Sequence, residues 1–212
     1  MTKEIIQVQL AWFFESEYNE SFEKISFKLK EKIGNSEQTQ YIPVPNGAPS
    51  ELPRLFLKYK DFNLTFSKTR ADIYILKNHK EISTIENIRK ITELIIDDLH
   101  IKVVRIGYVK SFFVEETLEY VKKMFKEEKI AGLDIKEIGF NLNVPKEIAG
   151  MKCNNIENLA MGNATKNGEV KNGLIINRDV NNIIGEKSDF DKTDKVITAI
   201  IAFDTEADNF LV

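Results

Sequence analysis

The 212-residue chain is short of the residues that staple small folds or build metal centres. It has one cysteine, Cys153, which excludes an intrachain disulfide framework and a cysteine-based zinc site. Two histidines, His79 and His100, leave too few ligands for a histidine-rich metal centre. No charge sign dominates. Thirty basic against 33 acidic residues give a net charge of −3, whereas a dedicated nucleic-acid binder carries a basic surplus on one face or arm. No apolar run approaches the roughly eighteen residues of a membrane span. The N-terminus, with Lys3 and alternating apolar positions, does not read as a signal peptide. These absences predict a cytoplasmic protein with no cofactor, no metal, no membrane partner and no dedicated nucleic-acid binding. The 42% hydrophobic and 30% charged fractions are those of an ordinary globular chain. At this length about 70% of the unfolded surface is buried on folding, enough for a core without staples.

The chain opens with Ile6, Val8, Leu10, Trp12 and Phe14 in strict alternation, the period of a half-buried strand. With Ser16 as N-cap, Tyr18, Phe22, Ile25, Leu29 and Ile33 share one face of a helix that Gly34 can end. Residues 35–53 carry Pro43, Pro45, Pro49 and Pro53 and read as a loop. Strands follow at Leu55–Tyr59, Phe62–Phe66 and Ile73–Ile75, separated by polar breaks of hairpin length. Ser83 and Glu86 form a capping box for a second helix lined by Ile85, Ile88, Ile91, Ile95 and Leu99. A strand over 102–114, a shorter helix over 116–127 and a strand over Ile138–Val144 come next. Residues 156–161 are expected to pair with 174–178, and Val196–Phe203 reads as a final strand. This pattern predicts one α+β domain, residues 1–212, on a mainly antiparallel sheet of seven or more strands. Two long helices and one shorter helix are expected to pack on one face.

The order of elements, with Leu52-Pro53-Arg54-Leu55-Phe56-Leu57 opening the meander and Val104-Arg105-Ile106-Gly107-Tyr108 after the second long helix, resembles a sporadically distributed family of uncharacterised prokaryotic proteins. The resemblance implies architecture and no catalytic residue. Its sporadic distribution suggests a gene carried on a mobile element or phage and acting in host conflict.

Chemical motifs are sparse. Asp97, Asp98 and His100 belong to the metal-ligand alphabet, but adjacent helical residues diverge by about 100° and rarely chelate together. Asp189, Asp191 and Asp194 sit in a polar break without the glycine and final glutamate of a calcium loop. The segment Gly162–Gly168 lacks phosphate-loop spacing and reads as a hairpin. Cys153, with Lys152 beside it, has no histidine near it in sequence, and no serine sits in a nucleophile elbow. No catalytic, cofactor-binding or metal-binding residue is assigned.

Arginine is the exception. Of 30 basic residues only Arg54, Arg70, Arg89, Arg105 and Arg178 are arginine. Arg54, Arg105 and Arg178 fall in or beside strands, where a planar fork can grip a carboxylate or phosphate. Alternation places Arg54 and Arg105 opposite the apolar faces of their strands, but gives Arg178 the parity of Leu174 and Ile176. These three are the candidate anion- or partner-binding residues. The sequence predicts an interaction protein with a protein partner or a second copy as ligand. A homodimer is expected from open sheet edges and the apolar tail Phe210-Leu211-Val212. The competing class is an enzyme or sensor for a phosphorylated or nucleotide-like ligand on the open sheet face.

Overall fold

In the computed structural model the described residues are 3–75, 82–115, 139–166, 169–185 and 190–209. The short helix expected over 116–127, His79, Asp189 and the tail 210–212 lie outside them. Among the described residues ten strands form one sheet in which every ladder is antiparallel. They are β1 (Lys3–Phe14), β2 (Gln38–Tyr41), β3 (Leu55–Lys58), β4 (Phe62–Phe66), β5 (Arg70–Ile75), β6 (Val103–Val114), β7 (Gly139–Asn143), β8 (Lys146–Ile148), β9 (Met151–Lys166) and β10 (Glu169–Asn182). The spatial order is β2-β3-β4-β5-β1-β6-β10-β9-β7, and β8 also pairs with β9. Among the described residues three α-helices accompany the sheet: α1 (Phe22–Ile33), α2 (Ile82–Glu93) and α3 (Thr193–Asp208). None is long and apolar enough to cross a membrane.

Side chains from one face of the sheet, here the inner face, join all three helices in a single apolar cluster. Trp12, Leu10, Leu64, Phe66 and Ile73 meet Ile25, Leu29, Ile91 and Phe203 there, all essentially without exposure. Burial of this kind contributes about 1.5–3 kcal/mol per large side chain and dominates the folding energy.

Several elements depart from the sequence expectation. The first helix begins at Phe22 with Ser21 as its N-cap, the hydroxyl accepting from Glu23 N–H at 3.2 Å. Tyr18 therefore precedes the helix, buried with its ring edge-on to Phe22. The second helix starts at Ile82, before Ser83, and runs into a π-helical turn over Leu94–Asp98. Its wide turn buries three consecutive apolar residues, Leu94, Ile95 and Ile96. Gln38–Tyr41, within the expected loop, is an exposed edge strand. Val196–Phe203 is helical. Its β-branched residues suggest a strand, but Val196, Ile200, Phe203 and Ala207 recur at helical spacing and all are buried.

The winding of the chain is two-fold. A central strand, further strands and a closing helix occur once as β1 to α2 and again as β6 to α3. The two central strands pair antiparallel, with Gln9 opposite Val109. A half-turn about that rung brings the row Leu57–Leu64–Ile73–Leu10 onto the row Leu142–Glu157–Arg178–Lys110. One half fills its centre with hydrocarbon and the other with charge.

Candidate functional site

The pleat and the register decide which arginines can cooperate. On the outer face Phe13 stands opposite Arg70 of β5 on one side and Arg105 of β6 on the other. The two guanidinium carbons lie 5.1 Å and 5.0 Å from its ring centroid. Each contact has cation–π geometry, worth about 0.5–1 kcal/mol at an exposed site. Ser67 opposes Arg70 at the β4–β5 turn, where the Ser67 N–H bonds the Arg70 carbonyl. Arg54, just before β3, continues the row.

The three arginines differ in what they touch. Arg70 forms a forked pair with Asp72, through Nε at 2.7 Å and through Nη2, while Gln9 donates to the same carboxylate at 3.0 Å. Arg105 has no carboxylate within ion-pair distance among the described residues, and its buried Nε has no hydrogen-bond partner there. Arg54 is likewise half-buried with an unpartnered Nε. Hydrogen bonds from Ser50 and Lys68 hold the nearby Glu17 carboxyl below its ordinary range, with a smaller Coulombic pull from Arg54.

Arg54 and Arg105 stand four strand spacings apart, about 19 Å, so they do not form a two-pronged clamp. Arg70, passed over in the sequence, fills the gap in the row. Its place, and that of Phe13, depends on a register that no local pattern specifies.

Arg178 is a correction. It lies on the inner face, its side chain without exposure, so it is not part of an outer-face site with Arg54 and Arg105. No bulge interrupts β10 to reverse its parity. Nη2 donates to Asn155 Oδ1 at 2.6 Å, and Nη1 stands 3.6 Å from Glu157, which is equally buried. Asn155 in turn donates to Glu206 on α3 at 2.8 Å, and Lys146 bonds the same carboxylate at 2.8 Å and 3.0 Å. Lys110, with no exposure, reaches Asp204 at 2.6 Å and Asp208 at 2.7 Å, and Tyr108 donates to Asp204 at 2.7 Å. Burial, with Asp204 close by, pushes the Tyr108 phenol far above its usual range. These pairings clasp the end of α3 to the sheet. The sequence carried a readable sign of this cluster, because Lys110 has the parity of Ile106 and Tyr108.

The remaining motifs have separate structural partners. Asp97 accepts from Thr193 at 3.1 Å, and Asp98 pairs with Lys32 at 3.1 Å. Asp194 pairs with Arg89 at 2.6 Å, and Asp191 with Lys195 at 3.0 Å. Among the described residues no cluster of three or more such ligands is arranged to hold a metal. Burial pushes the Cys153 thiol up to about 11, which suits a core residue and not a nucleophile.

No family model matches the sequence, and no curated protein does. Among solved structures, the chain is similar to a rolling circle replication initiator protein from Geobacillus stearothermophilus. Identity is 9% and the TM-score 0.32, with 95% of this chain and 79% of that one covered. Likeness at that level carries no argument about function.

Proposed function

We propose that this chain is a binding protein that takes an anionic partner on the outer face of its sheet, with Arg105 as the anchor. The observation that carries the reading is the state of Arg105. Its guanidinium is held against Phe13, its Nε is unpartnered, and no described carboxylate neutralises it. A preorganised fork of this kind suits a carboxylate or phosphate. Arg70, fixed by Asp72, and Arg54 extend the positive row on either side of the meander. The partner on this face would be a protein, a second copy of the chain or an anionic small molecule.

The resemblance to a sporadic family adds a setting, a mobile element or phage in conflict with its host, which the genes flanking this one would test. The test of the site is retention of the full chain on an immobilised polyanion at low salt, followed by a thermal-shift screen with nucleotides and divalent metals. Arg105→Ala should lose about 10- to 100-fold in affinity, the worth of one charge-assisted contact, with folding unchanged. Retention equal to wild type would remove Arg105 as the anchor. A metal-dependent rise in Tm with a nucleotide would move the reading to an enzyme or sensor. Self-association belongs to the same proposal. Light scattering giving a monomer at tens of micromolar would exclude a homodimer as the occupant.

A further inference from the structure

Arg105 stands at one end of the outer face, and the opposite end carries the other sign. Further along the same side of β6, about 33 Å away by strand rise, the chain reaches Glu115. Glu169 and Lys171, at the start of β10, stand beside it. Lys171 is 3.5 Å from each of these exposed carboxylates. That is beyond the roughly 2.7–2.9 Å of a close charge-assisted bond, so one lysine loosely serves two acids. Glu4, opposite Phe113, adds a third carboxylate to this end. Arg54, Arg70 and Arg105 make the other end positive. Between the two ends an uncharged rung of Asn141, Asn158, Asn177, Ser111 and Gln7 runs level across the strands. All of these but Ser111 are exposed or half-exposed.

These groups are placed symmetrically about one line. Arg105 and Glu115 are equidistant along the chain from Lys110, and Lys110 shares its rung with Arg178. Asn177 and Asp179 flank Arg178 on the outer face. The Asn177 side-chain carbonyl accepts from Ser111 at 2.7 Å, which leaves its amide N–H groups to donate. Asp179 accepts from Asn181 at 2.9 Å, and its carboxylate has lone pairs for further donors. Consider a second copy laid outer face to outer face and related by a half-turn about an axis parallel to that rung. It sets Arg105 over the acidic end and Asn177 over Asp179, twice in each pair of chains. A half-turn about an axis along the strands would stack arginine on arginine. Aligned sheets cross at about 30°, which carries the ends sideways by about 8 Å, and acids spread over β1, β6 and β10 span that offset. Strands β5, β1, β6, β10 and β9 present a footprint of about 600 Å² over this stretch, the order of size found on each partner of a standard interface. We infer that the chain forms a two-fold dimer through its outer face, in which the anion received by Arg105 is the carboxylate of Glu115 in a second copy. This rests on the reading of Arg105 as an anion site and names its occupant.

The test is sedimentation velocity of the full chain at up to about 100 μM in low and high salt. A dimer is expected, loosening as salt rises. Arg105→Glu or Glu115→Arg alone sets like charges together at both ends of the dimer and should weaken it at least about tenfold. Asn177→Asp, which brings a second carboxylate to Asp179, should weaken it as well. An equimolar mixture of the Arg105→Glu and Glu115→Arg chains restores opposite charges at both ends. A heterodimer of about wild-type strength should therefore form, which also shows that each variant is folded. A monomer at about 100 μM in low salt overturns the dimer. Retention on a polyanion, lost in Arg105→Ala, would in that case still uphold the anion site with another occupant. The inference also falls if the dimer is indifferent to both single changes, or if the mixture pairs no better than either variant alone.

Discussion

Replacing Arg178 and Glu157 singly and together tests whether their half of the sheet needs its charge in order to fold. Both side chains are without exposure, 3.6 Å apart. Arg178→Met takes away the guanidinium 3.6 Å from the buried Glu157 carboxylate and leaves it the Coulombic pull of Lys3, at a cost of up to about 3–5 kcal/mol. For a chain of this length that is a fall in Tm of roughly 6–20 °C. Glu157→Leu alone should cost less, because Arg178 keeps Asn155 and the carbonyls of Ile156 and Glu206 as acceptors. The double variant removes both charges and approaches the Leu64 and Ile73 of the equivalent row. Its remaining deficit is the donor lost by Asn155 Oδ1, about 1–3 kcal/mol. The double variant should therefore be more stable than Arg178→Met, with a favourable coupling of at least about 1 kcal/mol in a double-mutant cycle. Urea denaturation with constant m-values measures all four proteins. Additive losses would refute the reasoning and show that the charged row is required by something other than the pair itself.

Three further outcomes follow from close contacts. A Cβ on Gly173 would lie 2.4 Å from the Val114 carbonyl oxygen and 2.7 Å from the Phe113 ring, so Gly173→Ala should cost about 1–3 kcal/mol in thermal melts. Gly162→Ala meets only the flexible end of Ile175 and should cost less. The Asn182 side chain takes the place of a ladder rung, accepting from Ile106 N–H at 2.7 Å and donating to the Val104 carbonyl at 3.1 Å. Asn182→Ala should lose about 1–3 kcal/mol and speed amide exchange at Ile106; unchanged exchange there would exclude this role. Cys153 should react with a thiol reagent at pH 8 only as fast as the chain unfolds. Its thiol is raised from 9.0 to about 11, so the unfolded state loses its proton first and stability should fall as pH rises through that window. Rapid labelling of the native protein would contradict both statements.

Strands with strong alternation were legible in the sequence. β3, β4 and β6 appear within a residue of their expected bounds, β1 starts three residues before Ile6, and the expected pairing of 156–161 with 174–178 holds as Met161 opposite Leu174 and Glu157 opposite Arg178. Elements that depend on partners were not. β2 is polar and exposed, so no pattern marks it, and its pairing with Leu55–Lys58 alone makes it a strand. The last helix was obscured by β-branched residues whose strand propensity is outweighed by packing against the sheet. The candidate site divides the same way. Parity placed Arg54 and Arg105 away from the apolar sides of their strands, but the distance between them and the intervention of Arg70 and Phe13 depend on contacts across some sixty to ninety residues of chain.

The antiparallel pairing of β1 with β6 about the Gln9–Val109 rung has a consequence for assembly. Residues 1–101 would end with one long side of β1 unpaired, a twelve-residue edge that β6 normally occupies. A second copy of that fragment could occupy it through the same half-turn, so the excised first half should pair with itself strand to strand. Joining the halves in one chain turns that encounter into an internal one, at an effective concentration on the order of millimolar. During synthesis the edge stays open until β6 emerges, and in that interval the chain is most exposed to exchanging strands with a neighbour.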